Sequence, residues 1–130
     1  MVPTTSSAER LTDLVLPHLA GRIEGAAIRV PVASVSAVDL CLTTRVPASE
    51  AAVNDLFRAA AAGPQAQVFG MTDKPLVSSD LRAMPQSVIM ALPETRLTAG
   101  GLLRVLGWYD NEWGFANRML DVAAIMGEQG

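Results

Sequence analysis

The chain has 130 residues, half of them hydrophobic and 18% charged, which is enough for one domain with a sizeable core and too little for two typical ones. Its net charge is −3, and its basic residues, all arginine except Lys74, are scattered rather than striped, which disfavours a nucleic-acid surface. One cysteine, Cys41, excludes an internal disulfide framework and a cysteine-based zinc site. His18 and the carboxylates show no metal-ligand spacing. No apolar run is long enough to cross a membrane, and Met1–Arg10 lacks the positive start and apolar core of a secretory signal, so a cytoplasmic setting is expected.

Residues 7–19 predict a short helix. Leu11, Leu14, Val15 and Leu19 recur at helical spacing, Ser6 or Ser7 stands as N-cap, and Pro17 ends or distorts the last turn. Residues 26–32 and 35–46 alternate as strands, with Val38, Leu40, Leu42 and Val46 on one face. The short connection between these two strands favours antiparallel pairing of one with the other. A second helix spans 50–62, opened by Pro47 and Ser49 and closed by Gly63-Pro64, with Val53, Leu56, Phe57 and Ala60 as its buried stripe. Short strands follow at 66–70, 76–81 and 86–92, punctuated by prolines, and another at 102–108. A last helix runs from 112 to 126, capped by Asp110 or Asn111, with Trp113, Ala116, Leu120 and Ala123 on one face. This order lacks the regular alternation of a doubly wound sheet. It predicts a single α+β domain over 1–130, with a largely antiparallel or mixed sheet, helices covering one face and a C-terminal helix.

No G-x-G-x-x-G, G-x-S-x-G or P-loop occurs. Cys41, inside a strand, reads as a small buried thiol, and His18 as a partly exposed imidazole, rather than as a nucleophile and its base. Three features stand out. Thr4-Thr5-Ser6-Ser7 brings hydroxyls to a helix N-terminus, which suits an anion or an ordinary cap. Arg29 places a planar fork of donors in an apolar strand, for a phosphate or for a neighbouring carboxylate. Trp108–Phe115 joins a strand to a helix and contains Asn111, a side-chain amide that can read a ligand or cap the helix.

Trp108-Tyr109-Asp110-Asn111-Glu112-Trp113-Gly114 followed by Asn117-Arg118 resembles the C-terminal signature of the phosphorylating glyceraldehyde-3-phosphate dehydrogenases. Arg29-Val30-Pro31-Val32 with Val35–Leu40 is similar to that family's RVP…VSVVDL segment, and Met1–Thr4 to its MIPT segment. The likeness runs in register to about residue 126. Trp113–Asp121 and Pro75–Ser78 are also similar to the erythrose-4-phosphate dehydrogenase branch, so the branch stays open.

The resemblance implies a site. Arg29 falls on the arginine that holds phosphate at the substrate site, and Ser6 and Ser7 on a Thr-Gly pair that binds inorganic phosphate. Ser7 in place of glycine weakens that second site and would suit water as the acyl acceptor. Asn111 falls on the asparagine that fixes the nicotinamide carboxamide, and Phe115 stands where many members carry tyrosine. The family's nucleotide fold, its S-C-T-T-N segment with the nucleophilic cysteine, and the activating histidine lie upstream of the segment matched. Cys41 and His18 do not match those positions, so no catalytic residue is expected here. The resemblance therefore implies part of an NAD- or NADP-dependent enzyme acting on a phosphorylated aldose: glyceraldehyde 3-phosphate first, erythrose 4-phosphate second. The chain by itself is expected to be inactive and to hold no cofactor tightly. Its expected partners are further copies, as in the family's tetramers, or the missing upstream part. The competing expectation is a stand-alone, non-catalytic domain for phosphate binding or assembly, or a decayed remnant.

Overall fold

The computed structural model describes residues 1–128. In chain order it contains β1 (Val2–Thr4), α1 (Ala8–Val15), β2 (Ala27–Arg29), β3 (Ser36–Thr43), α2 (Glu50–Ala62), β4 (Phe69–Thr72), β5 (Val88–Ala91), β6 (Arg96–Leu97), β7 (Leu102–Tyr109) and α3 (Trp113–Glu128). Short 3-10 turns lie at Pro17–Leu19, Ser78–Leu81 and Leu92–Glu94. The class is α+β. The chain divides into two compact units, Met1–Val32 and the residues from Ala33 onward.

In the first unit β1 pairs antiparallel with β2, with Val2 opposite Arg29 and Thr4 opposite Ala27. Helix α1 stops before Pro17, whose ring cannot continue it. None of its residues is buried. A two-stranded ribbon is too small to cover Leu11, Leu14 and Val15.

The second unit is built on a five-stranded sheet of order β3-β7-β5-β4, with β6 added on β7. Strands β4 and β5 are parallel, and the other pairs are antiparallel. The longest ladder joins β3 to β7 from Ser36↔Tyr109 to Thr43↔Leu102. The expected pairing of the 26–32 strand with the 35–46 strand is therefore not formed: β2 pairs with β1, and β3 with β7. An eight-residue strand gains more ladder bonds from an equally long partner than from a three-residue one ending beside Pro31, which has no N–H to give.

Alternation decides the two faces of the sheet. Leu103, Val105 and Met90 form one buried cluster with Val53 of α2 and Leu92. Ile89 lies in a second cluster with Val35 and Leu81. Helix α2 starts where Ser49 Oγ accepts from the Ala52 N–H at 3.2 Å. It is fastened by Asn54, which donates to the Leu92 carbonyl (3.3 Å) and accepts from the Thr95 hydroxyl (2.7 Å). Thr95 is 2% exposed, so its hydroxyl needs this partner. On β7, Arg104 grips both oxygens of Asp39 on β3 (2.8 and 3.0 Å) and one of Glu94 (3.3 Å).

Several expectations are corrected. Residues 76–81 form no strand: Asp80 Oδ2 accepts from the Val77 N–H at 2.9 Å, and Ser78–Leu81 closes as a 3-10 turn. Ser and Asp side chains compete here with a ladder for backbone groups. The 66–70 strand lies later, at Phe69–Thr72, because the bonds from Ala66 to Gly63 and from Phe69 to Gln65 first make a turn. Leu56 of the α2 stripe is 70% exposed, as is Leu120 of α3. Trp113, on the same predicted face of α3, is 50% exposed. Cys41 is exposed rather than buried, because it pairs with Arg104 on the sheet face opposite the one on which Leu103 and Val105 pack against α2.

Val38, Leu40, Leu56, Phe57, Leu103 and Gly107 line an apolar groove of about 460 Å³ between α2 and the sheet. Apolar area left in water is a drive to associate. The 130-residue chain by itself is therefore expected to form concentration-dependent oligomers in sedimentation velocity. A monomer with one sharp, reversible unfolding transition across all concentrations would contradict this.

Candidate functional site

Arg29, Ser6 and Ser7 all lie in the first unit. Arg29 ends β2, is exposed, and makes no ion pair or side-chain hydrogen bond among the described residues. The carboxylate partner of the ordinary surface reading is thus absent there, and the guanidinium fork is free to take an anion. Ser7 occupies the N-cap position of α1, yet its side chain caps nothing. Its φ of −85° is a conformation any residue adopts, so the backbone itself does not demand glycine at this position. Ser6 Oγ instead accepts from the Ala8 N–H at 3.1 Å. Both hydroxyls are exposed. The β1–β2 register sets Arg29 opposite Val2, four residues before Ser6, and no hydrogen bond joins them. The structure brings the three residues into one small unit without a side-chain hydrogen bond between them.

Asn111 lies in the second unit, in the turn between β7 and α3. It is exposed, and its side chain makes no hydrogen bond among the described residues. Between the two predicted caps the structure chooses Asp110. Asp110 Oδ1 accepts from the N–H groups of Trp113 (3.0 Å) and Glu112 (3.2 Å). What the sequence did not reveal is the second oxygen: Asp110 Oδ2 accepts from the Ala83 N–H at 3.0 Å. Nothing in local spacing signals a bond across 27 positions. Gly114 adds a close approach, since a Cβ built there would stand 3.2 Å from the Gln86 carbonyl oxygen. Arg118 completes the attachment by donating to the Pro85 carbonyl (3.2 Å) and the Ser87 hydroxyl (3.0 Å).

The bond from the Trp113 N–H, then those from Ala83 and Glu112, hold the Asp110 carboxyl below the usual carboxylate range, helped by the charge of Arg82 and opposed by partial burial. A depressed folded pKa contributes stability that is complete above the unfolded value, near 3.8, and is lost as pH falls through the folded value. The stability difference between the wild type and Asp110→Asn is therefore expected to shrink as pH drops from about 5 to about 2. Urea unfolding at each pH measures it, and a pH-independent difference would contradict the assignment.

The apolar groove beside α2 includes neither Arg29 nor Asn111, and its lining offers no charge for a phosphate. Among the described residues there is no cluster of metal-ligating side chains and no helix long and apolar enough to cross a membrane. For a dinucleotide, the fit is partial. The free amide of Asn111 suits a carboxamide, which both donates and accepts. The chain has no G-x-G-x-x-G to receive a pyrophosphate.

The sequence model of the glyceraldehyde 3-phosphate dehydrogenase C-terminal domain matches residues 1–111. Among curated relatives, a glyceraldehyde-3-phosphate dehydrogenase from Cereibacter sphaeroides is 45% identical over 98% of this chain, and one from Xanthobacter flavus is 44% identical over all of it. Glyceraldehyde-3-phosphate dehydrogenase 2 of Streptomyces arenae is 44% identical over 98% of the chain. The chain spans only 38%, 39% and 38% of the lengths of these three relatives. With most of its length matched by one family model, the chain belongs to the glyceraldehyde 3-phosphate dehydrogenase C-terminal domain family.

Proposed function

We propose that this chain is the ligand-positioning portion of an NAD(P)-dependent dehydrogenase that oxidises a phosphorylated aldose. Glyceraldehyde 3-phosphate is the preferred substrate, because the relatives named above carry that activity in their names; erythrose 4-phosphate is the second choice. The observation that carries the reading is the free state of two exposed side chains. The resemblance implies that Arg29 and Asn111 correspond to the family's phosphate-holding arginine and carboxamide-fixing asparagine, and neither side chain is hydrogen-bonded to another described residue.

In this reading Arg29 takes the phosphate of the aldose by charge-assisted hydrogen bonds. Asn111 fixes the nicotinamide carboxamide, and the hydroxyls of Ser6 and Ser7 contribute weakly to a second anion site. The cofactor, when bound, accepts hydride. The attacking thiolate and its base come from the upstream part, since positioning groups without a nucleophile have nothing to position a substrate against. The chain works in the cytoplasm, joined to that upstream part and assembled with further copies.

The coding sequence immediately upstream of the Met1 codon tests this. An open frame encoding G-x-G-x-x-G and S-C-T-T-N supports the dehydrogenase. An in-frame stop directly before Met1 overturns it. The open apolar groove would then favour the second reading, a non-catalytic assembly or phosphate-binding domain.

A further inference from the structure

We propose that Asp110 is a positioning residue for Asn111: its two oxygens tie the helix start on one side and the Ala83 loop on the other, so that the free amide between β7 and α3 is held in one place. The inference rests on the reading of Asn111 as the carboxamide-fixing residue.

An ordinary helix cap uses one acceptor on the first turn. Asp110 Oδ1 does this, taking the N–H groups of Glu112 and Trp113, the two residues that follow Asn111. The backbone carbonyl of Asp110 takes the Gly114 N–H as well (2.8 Å). Oδ2 does something a cap does not require: it leaves the helix and takes the Ala83 N–H. Ala83 has a φ of +59°, a left-handed conformation that is uncommon for a residue with a side chain. The loop it belongs to meets α3 again at Gly114 and Arg118. Asn111 thus sits on a turn whose flanking backbone is anchored, while its own side chain is free. A reading group is useful only when its supporting shell is rigid.

Asp110→Asn separates the two functions. Asparagine caps a helix as well as aspartate does, but its amide nitrogen cannot accept from Ala83. Two readouts decide. In the 130-residue chain, hydrogen exchange at the Ala83 amide is expected to speed up by about tenfold or more in Asp110→Asn while α3 keeps its helicity. The second readout uses a chimera in which this chain replaces the matching segment of the Cereibacter sphaeroides enzyme. There NAD affinity, by calorimetry, is expected to fall about three- to tenfold in Asp110→Asn. Asn111→Ala is expected to weaken NAD at least as much, and adding Asp110→Asn to it is expected to change nothing further. A merely structural role would give additive losses instead, and that result, or unchanged NAD affinity in Asp110→Asn, overturns the proposal. If Asn111→Ala leaves NAD affinity intact, the reading of Asn111 itself is wrong and the proposal falls with it.

Discussion

Truncating Leu92 to alanine is expected to lower the unfolding free energy by about 3 kcal/mol, within the range for a buried leucine in a packed core. Leu92 is 3% exposed and shares its cluster with Val53, Met90, Leu103 and Val105. Its carbonyl also receives Asn54, so the backbone cannot shift to close the cavity without losing that bond. Native domains hold only about 5–15 kcal/mol in total, so such a loss brings the second unit close to its threshold. Leu56→Ala is the control. Leu56 lies on α2 at the open groove rather than in the core cluster, and its truncation is expected to cost no more than about 0.5 kcal/mol. Urea midpoints at low protein concentration check both. A Leu56 variant as costly as the Leu92 one would mean that the groove is covered in solution.

Replacing Arg29 with glutamine is expected to raise the KM for glyceraldehyde 3-phosphate in the chimera by roughly 10- to 150-fold, which is the 1.5–3 kcal/mol of a hydrogen bond to a charged group expressed as affinity. The guanidinium has no partner among the described residues, so its removal orphans no neighbouring carboxylate, and the fold is expected to be unaffected. Arg29→Lys keeps the charge but loses the planar fork, and it is expected to recover only part of the affinity. Steady-state kinetics with varied substrate check this. Equal KM values in all three proteins would remove Arg29 from the phosphate site.

The sequence was most legible where local chemistry and tertiary structure agree. Helix α2 occupies residues 50–62 as predicted, because Ser49 and Gly63 bound it and Val53 gives it a buried anchor. The strand of β7 was equally plain, whereas the helix expected over 7–19 ends at Val15, and Pro17–Leu19 forms a separate 3-10 turn. Misreadings arose where one apolar period served two outcomes. The face shared by Val53, Leu56 and Phe57 looks uniform in sequence, yet the sheet beneath it covers only part, leaving Leu56 in the groove. Pairing was misread because chain proximity favoured the nearest strand, whereas β3 found its match at β7, more than 50 residues later. In the candidate site, the residue types of Arg29 and Asn111 were visible, and their family meaning came from the resemblance. The link from Asp110 to Ala83 had no local signal, because it depends on how a distant loop folds back.

The most direct measurement is NADH formation from glyceraldehyde 3-phosphate and NAD. It compares the chimera carrying this chain, its Arg29→Gln and Asn111→Ala variants, and the 130-residue chain by itself. The proposed role predicts turnover by the chimera, losses in both variants and no turnover by the chain alone. A folded chimera without activity, or hydride transfer by the chain alone, would contradict it.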